Sequence, residues 1–272
     1  MKSIVRYSDA FVVNIEPTNA CNLRCVHCGD DKKRKIGFIT PELFEKVSIQ
    51  CRGKEIRPFM SGEPLMHKGI FDLIKIATKY SSRVVLHTNA TLLDEKKANA
   101  LVESGIQFVS ISFDGLTKEE YEGNRKGANF ESVSENISRF LKINNKKVHV
   151  TVQRIIKKGE PAIGVEKLFD GANVYSVIVR HSWDVRGRVE GCKSHTNYDR
   201  YCFFPWNYIP VLWNGDVCLC CADLNGKCII GDINKDSLEK IWNGPQMVSI
   251  RDRMIRGIPI PEICSGCERY NP

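Results

Sequence analysis

The sequence predicts an α/β protein: a parallel sheet of six strands with helical crossovers, curved into a partial barrel, followed by a small cysteine-rich unit. Three observations carry this. Apolar, β-branched runs alternate with segments of helical period over the first two-thirds of the chain. That rhythm breaks after about Trp183, and the twelve cysteines are bunched rather than spread. At 272 residues, 42% hydrophobic and 26% charged, the bulk is that of an ordinary globular protein with one large domain, or a domain and an appendage.

Strands are expected, in order, at residues 11–16, 55–60, 83–88, 108–113, 148–156 and 175–181, from their runs of β-branched and aromatic residues. Helices are expected between them at 41–50, 68–80, 94–104, 130–143 and 165–169; the first has Thr40 as its cap and Pro41 in its first turn. Such βαβ units cross over right-handedly and place chemistry at the strands' carboxyl ends. The first unit spans 1–182. In the second, 183–272, residues 208–213 and 217–220 flank Asn214-Gly215, a pair suited to a tight hairpin turn. A helix from about 237 to 256, interrupted near Gly244-Pro245, completes it.

Composition excludes several classes. The formal charge of +8 is scattered, with only short runs such as Lys32-Lys33-Arg34-Lys35, which argues for a solvated surface rather than a nucleic-acid stripe. No window approaches 18 consecutive apolar residues, so no membrane span is expected. Arg6, Asp9, Asn14 and Glu16 interrupt the start of the chain, unlike a signal peptide. A reducing, cytoplasmic setting follows, where closely spaced cysteines serve as metal or iron–sulfur ligands rather than disulfides.

Cys21, Cys25 and Cys28 form C-x3-C-x2-C directly after the first strand. Three thiolates in one short loop can converge on one metal centre. A [4Fe–4S] cluster normally takes four cysteines, so three with no local fourth would leave one iron open to an outside ligand. The competing structural zinc site would need His27, which adjoins Cys28 and is poorly placed to bind the same ion.

The string Cys21-Asn-Leu-Arg-Cys25-Val-His27-Cys28 resembles the signature of the radical S-adenosylmethionine (SAM) superfamily, in which an aromatic residue or His precedes the last cysteine. Three further strings strengthen the resemblance by their order and strand-end positions. Ser61-Gly62-Glu63-Pro64 is similar to the family's G-E-P segment, Thr88-Asn89-Ala90 to its T-N-G, and Ser110-Ile-Ser112-Phe-Asp114-Gly115 to its S-x-D-G. The resemblance implies a TIM-like partial (β/α)6 barrel whose Cys21, Cys25 and Cys28 hold a [4Fe–4S] cluster. On electron injection from a donor such as flavodoxin or ferredoxin, that cluster would cleave bound SAM to methionine and a 5′-deoxyadenosyl radical that abstracts a substrate hydrogen. It further implies that Gly62 allows close backbone approach and that the Glu63 carboxylate meets the SAM ammonium. Pro64 and Asn89 belong to the same cofactor site, Ser110 or Ser112 lies near the ribose or methionyl groups, Arg125 pairs with the SAM carboxylate, and His27 packs beside the adenine. Each residue also has a plain reading: a loop acid at Glu63, a surface arginine at Arg125, strand filler at the serines, a satisfied strand histidine at His87.

Seven of the cysteines crowd the last 71 residues. Cys202-Phe-Phe-Pro-Trp206, Trp213-Asn-Gly215, Cys218-Leu-Cys220-Cys221, Gly231-Asp-Ile233 and Cys264-x2-Cys267 together resemble the shortened SPASM, or twitch, auxiliary-cluster domain. That resemblance implies one auxiliary [4Fe–4S] cluster held by Cys202, Cys220, Cys264 and Cys267. Cys221 rivals Cys220, since neighbours on a strand face opposite ways. Cys228 or Cys221 could give a hydrogen atom to a substrate radical, whereas Cys218, Cys51 and Cys192 read as small buried hydrophobes. A zinc-ribbon binding module is the non-enzymatic alternative.

A cluster filled by four protein ligands can take an electron without binding substrate, which makes two-electron oxidation natural. The leading expectation is oxidation of an alcohol carbon in a small sugar, aminocyclitol or antibiotic intermediate, as in the aminocyclitol dehydrogenases that compact chains of this design resemble. Arg180, His181 and Asp184, at the sixth strand's end, are the candidate proton-handling positions, with Arg180 stabilising an alkoxide. Radical epimerisation and modification of a ribosomal peptide are the alternatives; only about 20 residues precede the cysteine loop, which disfavours a built-in peptide-recognition domain.

Overall fold

A computed structural model describes residues 11–156, 164–169, 174, 176–181, 202–258, 261–264 and 267. The strands are β1 (Val12–Ile15), β2 (Arg24–Cys25), β3 (Glu55–Arg57), β4 (Val85–Thr88), β5 (Phe108–Ser112), β6 (Arg125–Lys126), β7 (His149–Ile156), β8 (Ser176–His181), β9 (Tyr208–Val211), β10 (Asp216–Cys218) and β11 (Ile229–Asp232). The helices are α1 (Pro41–Ser48), α2 (Ile70–Tyr80), α3 (Glu95–Glu103), α4 (Lys118–Asn124), α5 (Phe130–Asn144), α6 (Phe204–Asn207), α7 (Leu238–Trp242) and α8 (Pro245–Arg256).

One sheet runs β11-β10-β9-β1-β3 and another β4-β5-β7-β8, and a parallel bridge between Ile56 and Val84 joins them. Seven strands, β9, β1, β3, β4, β5, β7 and β8, therefore run parallel in one curved wall. The expected six strands are all present. The seventh, β9, was assigned to the hairpin of the second unit; it does pair antiparallel with β10 at Val211 and Val217, but it also lies parallel against β1. The predicted boundary at 182/183 falls outside the described residues.

Alternation gives the wall two unlike faces. Val13, Ile15, Ile56, Leu86, Val109, Ile111, Val150 and Val152 are almost completely buried and share one core with the apolar stripes of α1, α2, α3 and α5. The opposite face carries Asn14, Arg57, His87, Ser110, Ser112 and Gln153, in register from strand to strand. A polar face turned from the helices is the lining of the barrel interior.

Helix starts follow their capping residues. The side chains of Thr40, Asp94 and Asn129 accept from the backbone N–H of Leu43, Lys97 and Ser132, and α8 stops at Gly257 with φ 64°. The helix expected over 165–169 is one 3-10 turn, Glu166–Phe169. Helix α4 was not anticipated, because only Tyr121 of its seven residues is buried and no apolar period shows. The hairpin turn also differs from expectation: the four-residue link 212–215 joins β9 to β10, and of its residues Gly215 alone has positive φ, 96°. The interruption predicted at Gly244-Pro245 separates α7 from α8. Among the described residues no helix is long and apolar enough to cross a membrane.

Candidate active site at the strand ends

The loop after β1 carries Cys21, Cys25 and Cys28. It is fixed by the short antiparallel pair β2–β6, which sets Cys25 opposite Arg125, and by a turn from Cys28 N–H to the Cys25 carbonyl at 3.1 Å. The three thiols are free and lie within electrostatic reach of one another. Burial pushes the Cys25 thiol up to about 11 against the opposing pull of Arg125, whose Nη1 lies 4.0 Å from its Sγ. Among the described residues no three His, Cys, Asp or Glu side chains close on a single ion, and His27 turns its Nε2 to Asp114 Oδ2 at 3.0 Å instead.

Asp114 organises this end of the barrel. Fully buried at the end of β5, it receives Arg125 Nε at 2.8 Å and Nη2 at 2.6 Å, His27 Nε2, and the Ile155 N–H at 2.6 Å. Burial raises its pKa, but Arg125, His27 and the Ile155 N–H together outweigh that and hold it below the ordinary aspartate value. His27, expected beside an adenine, and Arg125, expected on a SAM carboxylate, both bond Asp114. The one Arg125 nitrogen turned elsewhere, Nη1, faces Cys25.

The Ser61–Pro64 loop at the end of β3 presses on the cysteine loop. Gly62 has φ 76°, and a Cβ there would stand 2.5 Å from the Ala20 carbonyl oxygen and 2.6 Å from that of Thr18, so glycine is required on both counts. The next N–H, of Glu63, donates to the Ala20 carbonyl at 2.7 Å. The Glu63 carboxylate, expected to meet the SAM ammonium, is buried and accepts from Thr88 Oγ1 at 2.6 Å, Asn89 N–H at 2.7 Å and Leu65 N–H at 3.1 Å, where it caps the turn that Pro64 begins. Asn89 in turn donates to Asn22 Oδ1 at 3.1 Å. The strand-end motifs are thus bonded directly to the cysteine loop. Ser110 is buried and Ser112 half-buried, both on the lumen face of β5.

A second carboxylate ties the loop to the C-terminal unit. Buried Glu16 takes a two-pronged bond from Arg34, at 2.9 and 2.6 Å, and accepts from Ser61 Oγ and the Trp213 N–H. The Trp213 ring lies flat on Gly37, leaving no room for a Cβ. Asn225 bonds the Gly29 carbonyl at 3.3 Å and the Asp31 N–H at 3.1 Å. Asp114, Glu16, Arg34 and Asn225 are the functional residues that sequence reading passed over; Asp114 stood in a quoted motif without a role.

In the C-terminal unit, Cys220 is within electrostatic reach of Cys202 and Cys264, and Cys264 of Cys202 and Cys267. Burial drives the Cys220 thiol well upward and Cys264 to about 12. Thiols grouped in this way form a donor set that a cluster would satisfy by deprotonation. Cys221 packs against Met60, Leu212 and Cys218 at the barrel mouth. Cys228 is within electrostatic reach of Cys264 as well, and lines a groove of about 440 Å³ with Ile230, Pro245, Ile250 and Arg253. Cys218 and Cys51 are buried. Arg180 and His181 pair in register with Ile155 and Ile156; Asp184 and Cys192 lie outside the described residues.

A family model described as the radical SAM superfamily matches residues 15–170, and one described as an iron–sulfur cluster-binding domain, SPASM, matches 202–268. The S-adenosyl-L-methionine-dependent 2-deoxy-scyllo-inosamine dehydrogenase of Niallia circulans is 21% identical over 96% of this chain and 93% of its own length. A GTP 3′,8-cyclase of Chlorobaculum tepidum is 35% identical, over 47% of this chain and 40% of its own length; the chain spans less than half of that relative. Among solved structures, BtrN in complex with AdoMet and 2-DOIA superposes with a TM-score of 0.63 at 20% identity, covering 90% of this chain and 87% of that one. Streptococcus suis SuiB bound to precursor peptide SuiA gives 0.76 at 14% identity, covering 97% and 71%. With both family models matched in order along it, this chain belongs to the radical SAM superfamily, with SAM and iron–sulfur clusters as its cofactors and a SPASM domain at its C-terminal end.

Proposed function

We propose that the chain oxidises an alcohol carbon of a small hydroxylated substrate, with Cys21, Cys25 and Cys28 holding the SAM-binding [4Fe–4S] cluster and Cys202, Cys220, Cys264 and Cys267 an auxiliary one. When bound, these groups supply a 5′-deoxyadenosyl radical to take a hydrogen atom and a second cluster to accept an electron. The protein's share is placement. Gly62 brings the strand-end loop against the cysteine loop, Asp114 fixes His27 and Arg125 beside Cys25, and the polar barrel interior receives the substrate. The observation that carries the reading is the grouping of Cys202, Cys220 and Cys267 around Cys264 on a unit bonded to the first cysteine loop through Asn225. A site filled by protein thiols suits electron transfer rather than substrate binding.

The test uses anaerobically reconstituted enzyme, SAM and a reductant, with flavodoxin or ferredoxin as the class of donor in the cell. Cys220→Ala should still release 5′-deoxyadenosine but form at least tenfold less ketone; unchanged ketone would refute the oxidase reading. A second reading, epimerisation, is favoured by Cys221 at the barrel mouth. It predicts that Cys221→Ala abolishes product while SAM cleavage continues. Cys228, within electrostatic reach of Cys264, is the other candidate hydrogen donor.

A further inference from the structure

Among the described residues, Arg57 is a pre-organised cation on the face that lines the barrel. Arg57 stands opposite Asn14 in the β1–β3 register, on the face turned from the helices. Its Nε donates to Glu55 Oε1, and Arg83 Nε donates to the other oxygen of the same buried carboxylate. Two guanidinium groups on one carboxylate leave a net positive charge. The Arg57 guanidinium also lies over the Tyr208 ring, with Cζ 5.6 Å from its centroid, so its plane is fixed. Among the described residues nothing accepts from either Nη, and the side chain is 26% exposed. Beside it, Asn14 is 4% exposed; its Nδ2 donates to the Phe59 carbonyl at 3.0 Å, while its Oδ1 is buried with no donor. The carboxylates described along this face, Glu55 and Glu16, are each already held by guanidinium groups.

We propose that Arg57 and Asn14 form a substrate subsite for an anionic oxygen group, a carboxylate or phosphate, carried by a polyhydroxylated molecule. The free edge of a planar guanidinium matches the two oxygens of such a group. The unmet Asn14 oxygen accepts from a neighbouring hydroxyl, relieving a buried acceptor. Glu55 and Tyr208 are the first residues of β3 and β9, so they draw the guanidinium toward the amino ends of the strands, where the far tail of a substrate would lie while its reacting carbon stays near the SAM site at the carboxyl ends. The inference rests on the reading above and narrows its substrate class: an acidic sugar derivative fits this part of the interior, where the carboxylates beside Arg57 are already held by guanidinium groups.

The methionyl carboxylate of SAM is a second source of the same chemistry, so the test separates them. Binding of glucose 6-phosphate, of glucosamine and of SAM would be measured by equilibrium dialysis on reconstituted wild type, Arg57→Gln and Asn14→Asp. Wild type should prefer glucose 6-phosphate to glucosamine. Arg57→Gln should weaken the phosphate at least tenfold and leave SAM affinity within twofold. Asn14→Asp, nearly isosteric, should also weaken the phosphate at least tenfold by cancelling the charge, and serves alone if Arg57→Gln fails to fold. Phosphate affinity indifferent to both changes, a wild-type preference for glucosamine, or loss of SAM binding instead would overturn the assignment. Dialysis needs no turnover, so failure of the oxidase reading and failure of the subsite are told apart.

Discussion

At the scale of single residues, the site depends on a few positions where alternatives are physically closed. Gly62 combines positive φ with backbone oxygens where a Cβ would sit. Gly62→Ala should therefore cost at least about 2 kcal/mol and reduce SAM cleavage more than tenfold, measured by urea unfolding and 5′-deoxyadenosine release. Asp114 is the second such position. Its depressed pKa means that it contributes stability above about pH 4, and that this contribution is lost as the pH falls through and below that value. Asp114→Asn leaves buried Arg125 without its charge partner, a loss of about 3–5 kcal/mol at pH 7, and should flatten the acid limb of the stability profile. An unchanged acid limb would show that other carboxylates set it. The cysteine spacing and the Gly62 motif were legible because they are local in the chain. The Asp114 hub was not, since Ile155 lies 41 positions away and burial decides what the aspartate does.

At the scale of elements, the strands were the most readable part, because β-branched runs buried against helices leave a strong pattern. Helix α4 and the parallel pairing of β9 were not readable. The first has a single buried anchor, and the second is decided by an edge of β1 that the sequence of β9 does not announce. That edge matters, because it builds the C-terminal unit onto the barrel instead of hanging it from a linker. The Glu16–Arg34 pair reinforces the join, with the Trp213 N–H on the same carboxylate. Glu16→Gln should cost about 3 kcal/mol or more, since Arg34 is largely buried, and should speed amide exchange at Trp213 and along β10. If exchange there is unaltered, the Glu16–Arg34 pair does not hold the join, and β9 and Asn225 carry it instead.

At the scale of the molecule, two cysteine sets face one assembly: Cys21, Cys25 and Cys28 at the strand ends, and Cys202, Cys220, Cys264 and Cys267 behind the hairpin. Asn225 on the loop after Cys221 grips the loop after Cys28, so ordering one site helps to order the other. Strand alternation does not separate Cys220 from Cys221, because β10 ends at Cys218 and both lie beyond it; Cys220 is within electrostatic reach of Cys202 and Cys264, while Cys221 also packs against Met60, Leu212 and Cys218. The central claim is that this arrangement holds two [4Fe–4S] clusters, and the iron and sulfide content per chain after anaerobic reconstitution tests it most directly. The account predicts about eight of each in the wild type and in Cys221→Ala, and about four in Cys220→Ala. About four in the wild type, or zinc without sulfide, would contradict it.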